Sequence, residues 1–472
     1  MKSIRLYIPV LLLLSVLVSS CDDFLNVNPK GEVFDNDMFT SADGYEDALY
    51  GIYAELGTKQ YLYSDYMFWL PEVLSINVTS GDNGFQNMAV GQWDLYGGPM
   101  IRRGIWAASY TAINHINNIL AHIEAGGEDE FPDTRLYKGE ALGLRAMLHF
   151  DMLKFFGAPA WAADSYKERA IPYVTKYSFD ITPFSSFDQA CEKIIADLVE
   201  AERCLDADRE LLPAVRNNAS TGGFTSCRII HMNLYAVQAL LARVYWYIGN
   251  LEAAAVYADK VISSEKFTFR SKAAFVQPDN GTLDLNETIF GIYSTESNKK
   301  NAKAYGLTSS GNNFTLNPDW AALYEDGSAP LKDLRQEGWF NSTSYRNLVN
   351  GTFIEGSESY TGQSILGVSL FRISEMYYIM AESLMESEPI KAAEYYNAVV
   401  TTRELDELGA ALTDEILFSE RRKEFYGEGL HWTDMKRLAK DIQATVSIRL
   451  PGSNPATYIV PLPLSEEDNR DE

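Results

Sequence analysis

The sequence predicts a mainly α-helical chain, one globular domain built on helical hairpins and carrying large loop-rich insertions. Three observations point there. From about residue 46, apolar residues recur at three- and four-residue spacing over long stretches. Two stretches, 234–263 and 373–403, each read as a helix, a short break and a second helix. Between them, residues 276–367 hold ten glycines and ten asparagines with few helical stripes, a composition that favours turns.

The N-terminus has its own character. Lys2 and Arg5 precede an apolar run, Ile8 to Val18, broken only by Pro9 and Ser15, and Val18-Ser19-Ser20-Cys21 follows. A basic start, a short apolar stretch and small residues at a cut site read as a secretory signal. The run is too short for a membrane-spanning helix, which needs about 20 residues. The cysteine at the cut site resembles the lipobox of bacterial lipoproteins, which implies that Cys21 is acylated and anchors the chain. The expected organisation is a signal peptide over 1–20, a lipidated tether over 21–45 and a single domain over 46–472.

Helices are expected next. Ile105, Ala108, Ala112, Ile116, Ile119 and Ile123 stripe residues 104–124. Residues 139–157 are apolar on most sides, so that helix should be buried, with Gly157 and Pro159 stopping it. Residues 187–205 form another amphipathic helix. In 234–263 one helix ends at Gly249-Asn250 and the next begins with Leu251-Glu252-Ala253-Ala254, while Ala242, Ala254 and Ala258 permit close approach. The pair resembles a tetratricopeptide hairpin. The second copy has Ile373, Met376, Tyr377, Met380, Ala381 and Leu384 on one face, then Pro389 at a helix start and Lys391-Ala392-Ala393-Glu394. The copies do not follow a regular 34-residue repeat, so they are separate hairpins within one globule. A second loop-rich stretch is expected over about 57–103, with Tyr61, Tyr63, Tyr66, Trp69, Trp93 and Tyr96.

Composition excludes several classes. The net charge is −25, and removing residues 1–20, which carry two basic and no acidic residues, makes it −27. Such a chain is a poor match for nucleic acid. Beyond Cys21 only Cys191, Cys204 and Cys227 remain, so this is not a disulfide scaffold. No nucleophile elbow, P-loop, His-Glu-x-x-His or cysteine-pair zinc spacing occurs, and no metal or cofactor is expected. Glu420, Glu424 and Glu428 repeat at i, i+4, i+8. Paired carboxylates can serve a glycosidase when they flank a sugar, but these share one expected helix face beside Arg421, Arg422, Lys423 and Arg437. A charge-neutralised packed network is the preferred reading, with a lipid-anchored glycosidase using Glu420 and Glu424 as the alternative. A third reading is an adaptor whose hairpins only join proteins.

Several segments together resemble the SusD/RagB family of Bacteroidetes outer-membrane lipoproteins. The strongest is 420–437, ERRKEFYGEGLHWTDMKR, carried by Glu420, Arg421, Arg422, Glu424, Glu428, Gly429, Trp432, Asp434, Met435 and Arg437. The family has arginine where His431 stands, which puts one expected salt bridge in question. Arg372 to Tyr377 with Ala381-Glu382, Arg145-Ala146 with Phe156-Gly157, Trp106-Tyr110-Ile113-Asn117, Pro461-Leu462-Pro463 with Glu466, and the start at Cys21 match further family segments. The resemblance implies a SusD-like α-α superhelix and a non-enzymatic role. It implies capture of an oligosaccharide, or in some members a peptide, and delivery to a SusC-like TonB-dependent β-barrel transporter at the outer membrane. The matched residues are expected to be scaffold.

Ligand contacts should therefore lie in the loop-rich stretches. Sugars present apolar C–H faces and hydroxyl edges, which call for aromatic platforms with a few placed polar groups. The candidate platforms are Trp69, Trp93, Tyr96 and Trp320, and the polar candidates are Asp82, Asn83, Asn312 and Asn313. Trp106, Trp246 and Trp432 sit in helical patterns and are assigned to the core.

Overall fold

Most helices form where the sequence spaces its apolar residues for them, and the strands among the described residues are few and short. The computed structural model describes residues 35–166, 169–216, 223–276, 283–295, 300, 314–325, 333–341, 344–345 and 365–468. They fall into two units, one within 1–45 and one over 46–472. Cys21 lies outside the described residues. In the first unit the ring of Phe39 packs 5.0 Å from that of Tyr45.

Along the chain come α1 (Ala42–Thr58), α2 (Tyr66–Leu74), the strand β1 (Val78–Ser80), α3 (Asn83–Ala89) and α4 (Gly98–Gly126). Residues 57–103, expected as loop-rich, thus carry two short helices and a strand between their turns. The long helix α4 begins six residues before the expected start at 104, with Pro99 in the first turn, where its missing N–H costs nothing. Next is α5 (Thr134–Phe156), buried along nearly its whole length as its sequence implies. It packs between α4 and α6 (Phe187–Cys204), the latter opened by a reciprocal Ser186–Gln189 capping box. The strands β2 (Ile171–Pro172) and β3 (Phe184–Ser185) form a hairpin before α6.

The two expected hairpins are present. Helices α7 (Leu234–Tyr247) and α8 (Leu251–Ile262) turn at Gly249, with the Asn250 side chain accepting from the N–H of Ala253. Beyond β4 (Thr288–Tyr293), β5 (Phe314–Leu316) and β6 (Gly367–Arg372) come α9 (Ile373–Leu384) and α10 (Pro389–Val400). Helix α8 packs on α9, so the hairpins stack in series. Tyr378, Ala381, Ala392, Tyr396 and Val399 share one core cluster there. The chain then forms α11 (Asp414–Glu424), α12 (His431–Arg437) and a hairpin of β7 (Ile442–Gln443) and β8 (Arg449–Leu450). The fold is mainly helical, as expected.

Two antiparallel ladders hold the insertion between α8 and α9. β4 pairs with β6, and β5 pairs with β1 in the register Val78↔Leu316, Thr79↔Thr315, Ser80↔Phe314. A buried ion network adds to this. Arg335 donates from Nη1 to Glu420 at 2.6 Å and Glu424 at 3.0 Å, and from Nη2 to Asp333 at 2.7 Å. Arg372 donates to Glu424 at 2.8 Å and Glu287 at 3.1 Å, and pairs with Glu428 at 2.9 Å. Arg403 donates to Glu424 at 2.6 Å and pairs with Glu287 at 2.8 Å. Three arginines thus converge on Glu424, whose carboxyl stays ionised well below the usual range although burial opposes it.

Candidate functional site

The β1–β5 ladder is where the two insertions meet, and it brings their aromatic residues to one place. β1 follows α2, so Tyr66 and Trp69 lie under it. β5 supplies Phe314, whose ring stands edge-on to Trp69 at 5.3 Å and to Phe85 of α3 at 5.7 Å. Tyr66 stacks on Phe85 at 5.4 Å, and Tyr61 leans on Tyr66 at 4.9 Å. Asn317 tightens the join, its side chain donating to the Ile76 carbonyl at 2.8 Å and its N–H to that of Asn77 at 3.0 Å.

Helix α3 starts at this layer. Asp82 caps it by accepting from the N–H groups of Gly84 and Phe85, at 2.8 and 3.2 Å. Asp82 and Asn83 themselves face solvent. The chain leaves α3, turns through 91–97 and enters α4. Gly84 and Gly97 cross so closely that a side chain on either would strike the other's backbone. At the next turn, Leu95 is 50%, Tyr96 82% and Met100 63% exposed. Gly104, one helical turn beyond Met100, lies flat against the ring of Tyr61. The result is a ledge of Tyr61, Leu95, Tyr96 and Met100, with Asp82 and Asn83 on the adjoining helix.

The expected site residues fare differently. Tyr96, Asp82 and Asn83 come together on this ledge. Trp93 lies half-buried in the same turn. Trp69, expected as a platform, is a core ring: the packing of Tyr66 and Phe314 leaves it 9% exposed. Trp320 is half-buried and stacks on Phe340 at 4.5 Å, and Phe340 in turn meets Tyr426 at 5.2 Å. That stack lies on the Asn77 side of the ladder, since the Tyr426 hydroxyl donates to the Asn77 carbonyl at 2.5 Å. Asn312 and Asn313 lie outside the described residues. Tyr61, Leu95 and Met100 were not singled out as contacts. An aliphatic residue reveals its exposure only once the fold is known, and Tyr61 is one tyrosine among many in its stretch.

Burial shapes the electrostatics beneath the ledge. Burial lifts the Tyr66 hydroxyl to about 12, with Tyr61, Asp65 and Asp82 adding to the shift, so it stays a neutral hydrogen-bonding group. Burial also raises Asp65 to about 7, against the pull of Lys300 at 3.6 Å. Glu72, fully buried in α2, rises to about 7 for the same reason, although Asn77 and the N–H of Gly429 donate to it.

Two other places lack the form of a sugar site. A cavity of about 50 Å³ lies among Tyr63, Phe68, Phe150, Asp151, Arg243 and Trp432, room for a few water molecules and not for a sugar. The three glutamates of 420–428 do not share one helix face. Helix α11 ends at Glu424, and left-handed backbone at Gly427 and Gly429 turns the chain, so Glu428 is off the expected helical face. Glu420 and Glu424 are buried against arginine, and the partly buried Glu428 pairs with Arg372. His431 is buried too, held neutral by desolvation, with Nδ1 unpartnered among the described residues. The ion pairs here are instead Arg421–Asp434 at 2.9 Å and Arg437–Glu382 at 2.6 Å.

Comparison with known proteins accords with this architecture. A SusD-like protein of Formosa agariphila is 22% identical over 94% of this chain and 92% of its own length. The crystal structure of a SusD superfamily protein from Bacteroides thetaiotaomicron superposes with a TM-score of 0.74 at 21% identity, covering 91% of this chain and 98% of that one. Surface glycan-binding protein A from Bacteroides fluxus gives 0.62 at 21% identity, covering 85% and 89%. At these identities the likeness establishes the fold. One family model, described as starch-binding and associating with the outer membrane, matches residues 23–246, and a second, described as the SusD family, matches 333–454. Between them the two models span most of the chain, which belongs to the SusD/RagB family.

Proposed function

We propose that this protein is a surface-exposed, lipid-anchored binding protein that captures a nutrient oligosaccharide and delivers it to a TonB-dependent outer-membrane transporter. The single observation that carries the reading is the ledge of Tyr61, Leu95, Tyr96 and Met100 with Asp82 and Asn83 beside it. Exposed apolar side chains grouped in this way mark a binding surface. Here they can cover the C–H face of a sugar while the carboxylate and carboxamide meet its hydroxyls. Trp93, in the same turn, and Trp320, across the ladder, extend the aromatic surface, and Asn312 and Asn313 just before β5 are further contacts. Trp69 supports the ledge from below.

Family membership and the names of the relatives support a glycan as ligand. The N-terminal basic-apolar pattern ending at Cys21 supports export and acylation, and several buried acyl chains at about 0.8 kcal/mol per CH₂ would anchor the protein firmly. No helix of the described residues is long and apolar enough to cross a membrane. Enzymatic action is not part of the proposal, since the carboxylates that could serve a glycosidase are locked in ion pairs.

A binding screen with neutral, uronic and sulfated oligosaccharides and with peptides, read by tryptophan fluorescence, tests the proposal. A saturable response to at least one oligosaccharide is expected. A response to peptides alone would reassign the ligand class, and no response from any probe would favour the adaptor.

A further inference from the structure

We propose that the ion pair between Arg102 and Asp94 is a positioning device that holds Tyr96 ready for its ligand; this rests on the oligosaccharide-binding reading above. The turn 91–97 that presents Leu95 and Tyr96 stands in solvent, and an unrestrained turn would carry its tyrosine through many orientations. Besides the backbone bonds that tie Gly91 and Gln92 to the end of α3, three attachments restrain it. Asn87 of α3 donates from Nδ2 to the Tyr96 carbonyl at 3.2 Å. Gly97 lies against Gly84. Arg102, from the second turn of α4, donates from Nη2 to Asp94 Oδ1 at 2.7 Å.

The third attachment is lopsided in a telling way. The Arg102 side chain is 2% exposed and that of Asp94 81%. The cation is fixed inside the helix layer, while the carboxylate sits in water and would be well solvated without it. Arg102 Nε is buried with no hydrogen-bond partner among the described residues, so the guanidinium is not placed for the fullest pairing the core could give. A rigid planar donor reaching out to a solvated carboxylate does little for the core and a great deal for where residues 94–96 stand. Tyr96 takes no part in the pair, yet it lies two residues from Asp94 and its own carbonyl is tied to α3. A platform fixed before binding avoids the ordering cost that a mobile one would incur.

The test uses the full chain and a panel of neutral malto-, xylo- and manno-oligosaccharides. Arg102→Met removes the cation, keeps the apolar stem and strands no buried charge, because Asp94 can hydrate. The amides of Leu95 and Gly98, which donate to the carbonyls of Gln92 and Leu95, should exchange with solvent faster in R102M. Affinity for the best-bound oligosaccharide should fall about three- to tenfold, the cost of ordering one side chain. In a Tyr96→Ala background R102M should then change nothing further, since its effect passes through Tyr96. Asp94→Asn reads the same turn from its other side should R102M fold poorly, Asp94→Glu should restore affinity, and Asp206→Asn, which breaks an exposed pair elsewhere, should leave it unchanged. Full affinity in R102M and D94N, or losses that add in full to that of Y96A, would overturn the proposal while leaving the binding site intact. If the wild-type protein binds no member of the panel, the function reading falls and takes this proposal with it.

Discussion

At the residue scale the structure's least ordinary groups are buried charges, and they split into two kinds. Glu424 accepts from Arg335, Arg372 and Arg403, so its folded carboxyl titrates below its unfolded value. Its stabilisation is present above the unfolded pKa of about 4.5 and fades as pH falls toward the folded value. Glu424→Gln leaves three arginines short of a partner and should cost about 3–5 kcal/mol, measured by urea unfolding at pH 7. Glu72 has the opposite sign. Its folded value, about 7 against an ordinary 4.5, means that the folded state keeps a proton the unfolded state loses. Stability contributed by that proton is present below pH 4.5 and declines as pH rises to about 7. Glu72→Gln should therefore stabilise the protein by about 3 kcal/mol at pH 8 and hardly at all at pH 4.5. Equal effects at both pH values would show that Glu72 is ionised in the fold.

At the element scale, α4 both builds the core and shapes the ledge. Its isoleucines face inward, and Gly104 leaves room for the Tyr61 ring, which would lie within 2.5 Å of any added Cβ. Gly104→Ala raises intrinsic helix propensity by about 1 kcal/mol, yet it must displace Tyr61 from the ledge. The expected outcome is weaker oligosaccharide binding with a helix content unchanged by circular dichroism. The helices that could be read in advance, such as α5, α6 and the two hairpins, announce themselves by apolar spacing and stop signals. Helix α2 does not. All nine of its residues are buried and Pro71 lies inside it, so no polar face marks a period. The β1–β5 ladder was equally hidden, because it pairs positions 236 residues apart and strands of three residues leave no pattern. Tyr96 stands out in the sequence as one aromatic of a loop-rich stretch, and its exposure follows from its place in the turn 91–97. Trp69 misled because a buried ring and an open platform are written with the same residue, and burial is a property of the neighbours.

For the whole molecule, a helical scaffold carries a ledge formed where two insertions meet, and the proposed function adds a tether at Cys21. Cys21→Ala should abolish surface retention, followed by cell fractionation and surface labelling, and leave oligosaccharide affinity unchanged. A drop in affinity would make the tether part of the site. The central claim is that the ledge is the site of capture, and isothermal titration of the oligosaccharide panel into wild-type protein and Tyr96→Ala tests it most directly. At least one oligosaccharide should bind the wild type, and Y96A, with an unchanged unfolding midpoint, should bind it at least about tenfold more weakly. Equal affinity of the two proteins would contradict the claim and move the site away from the junction of the two insertions.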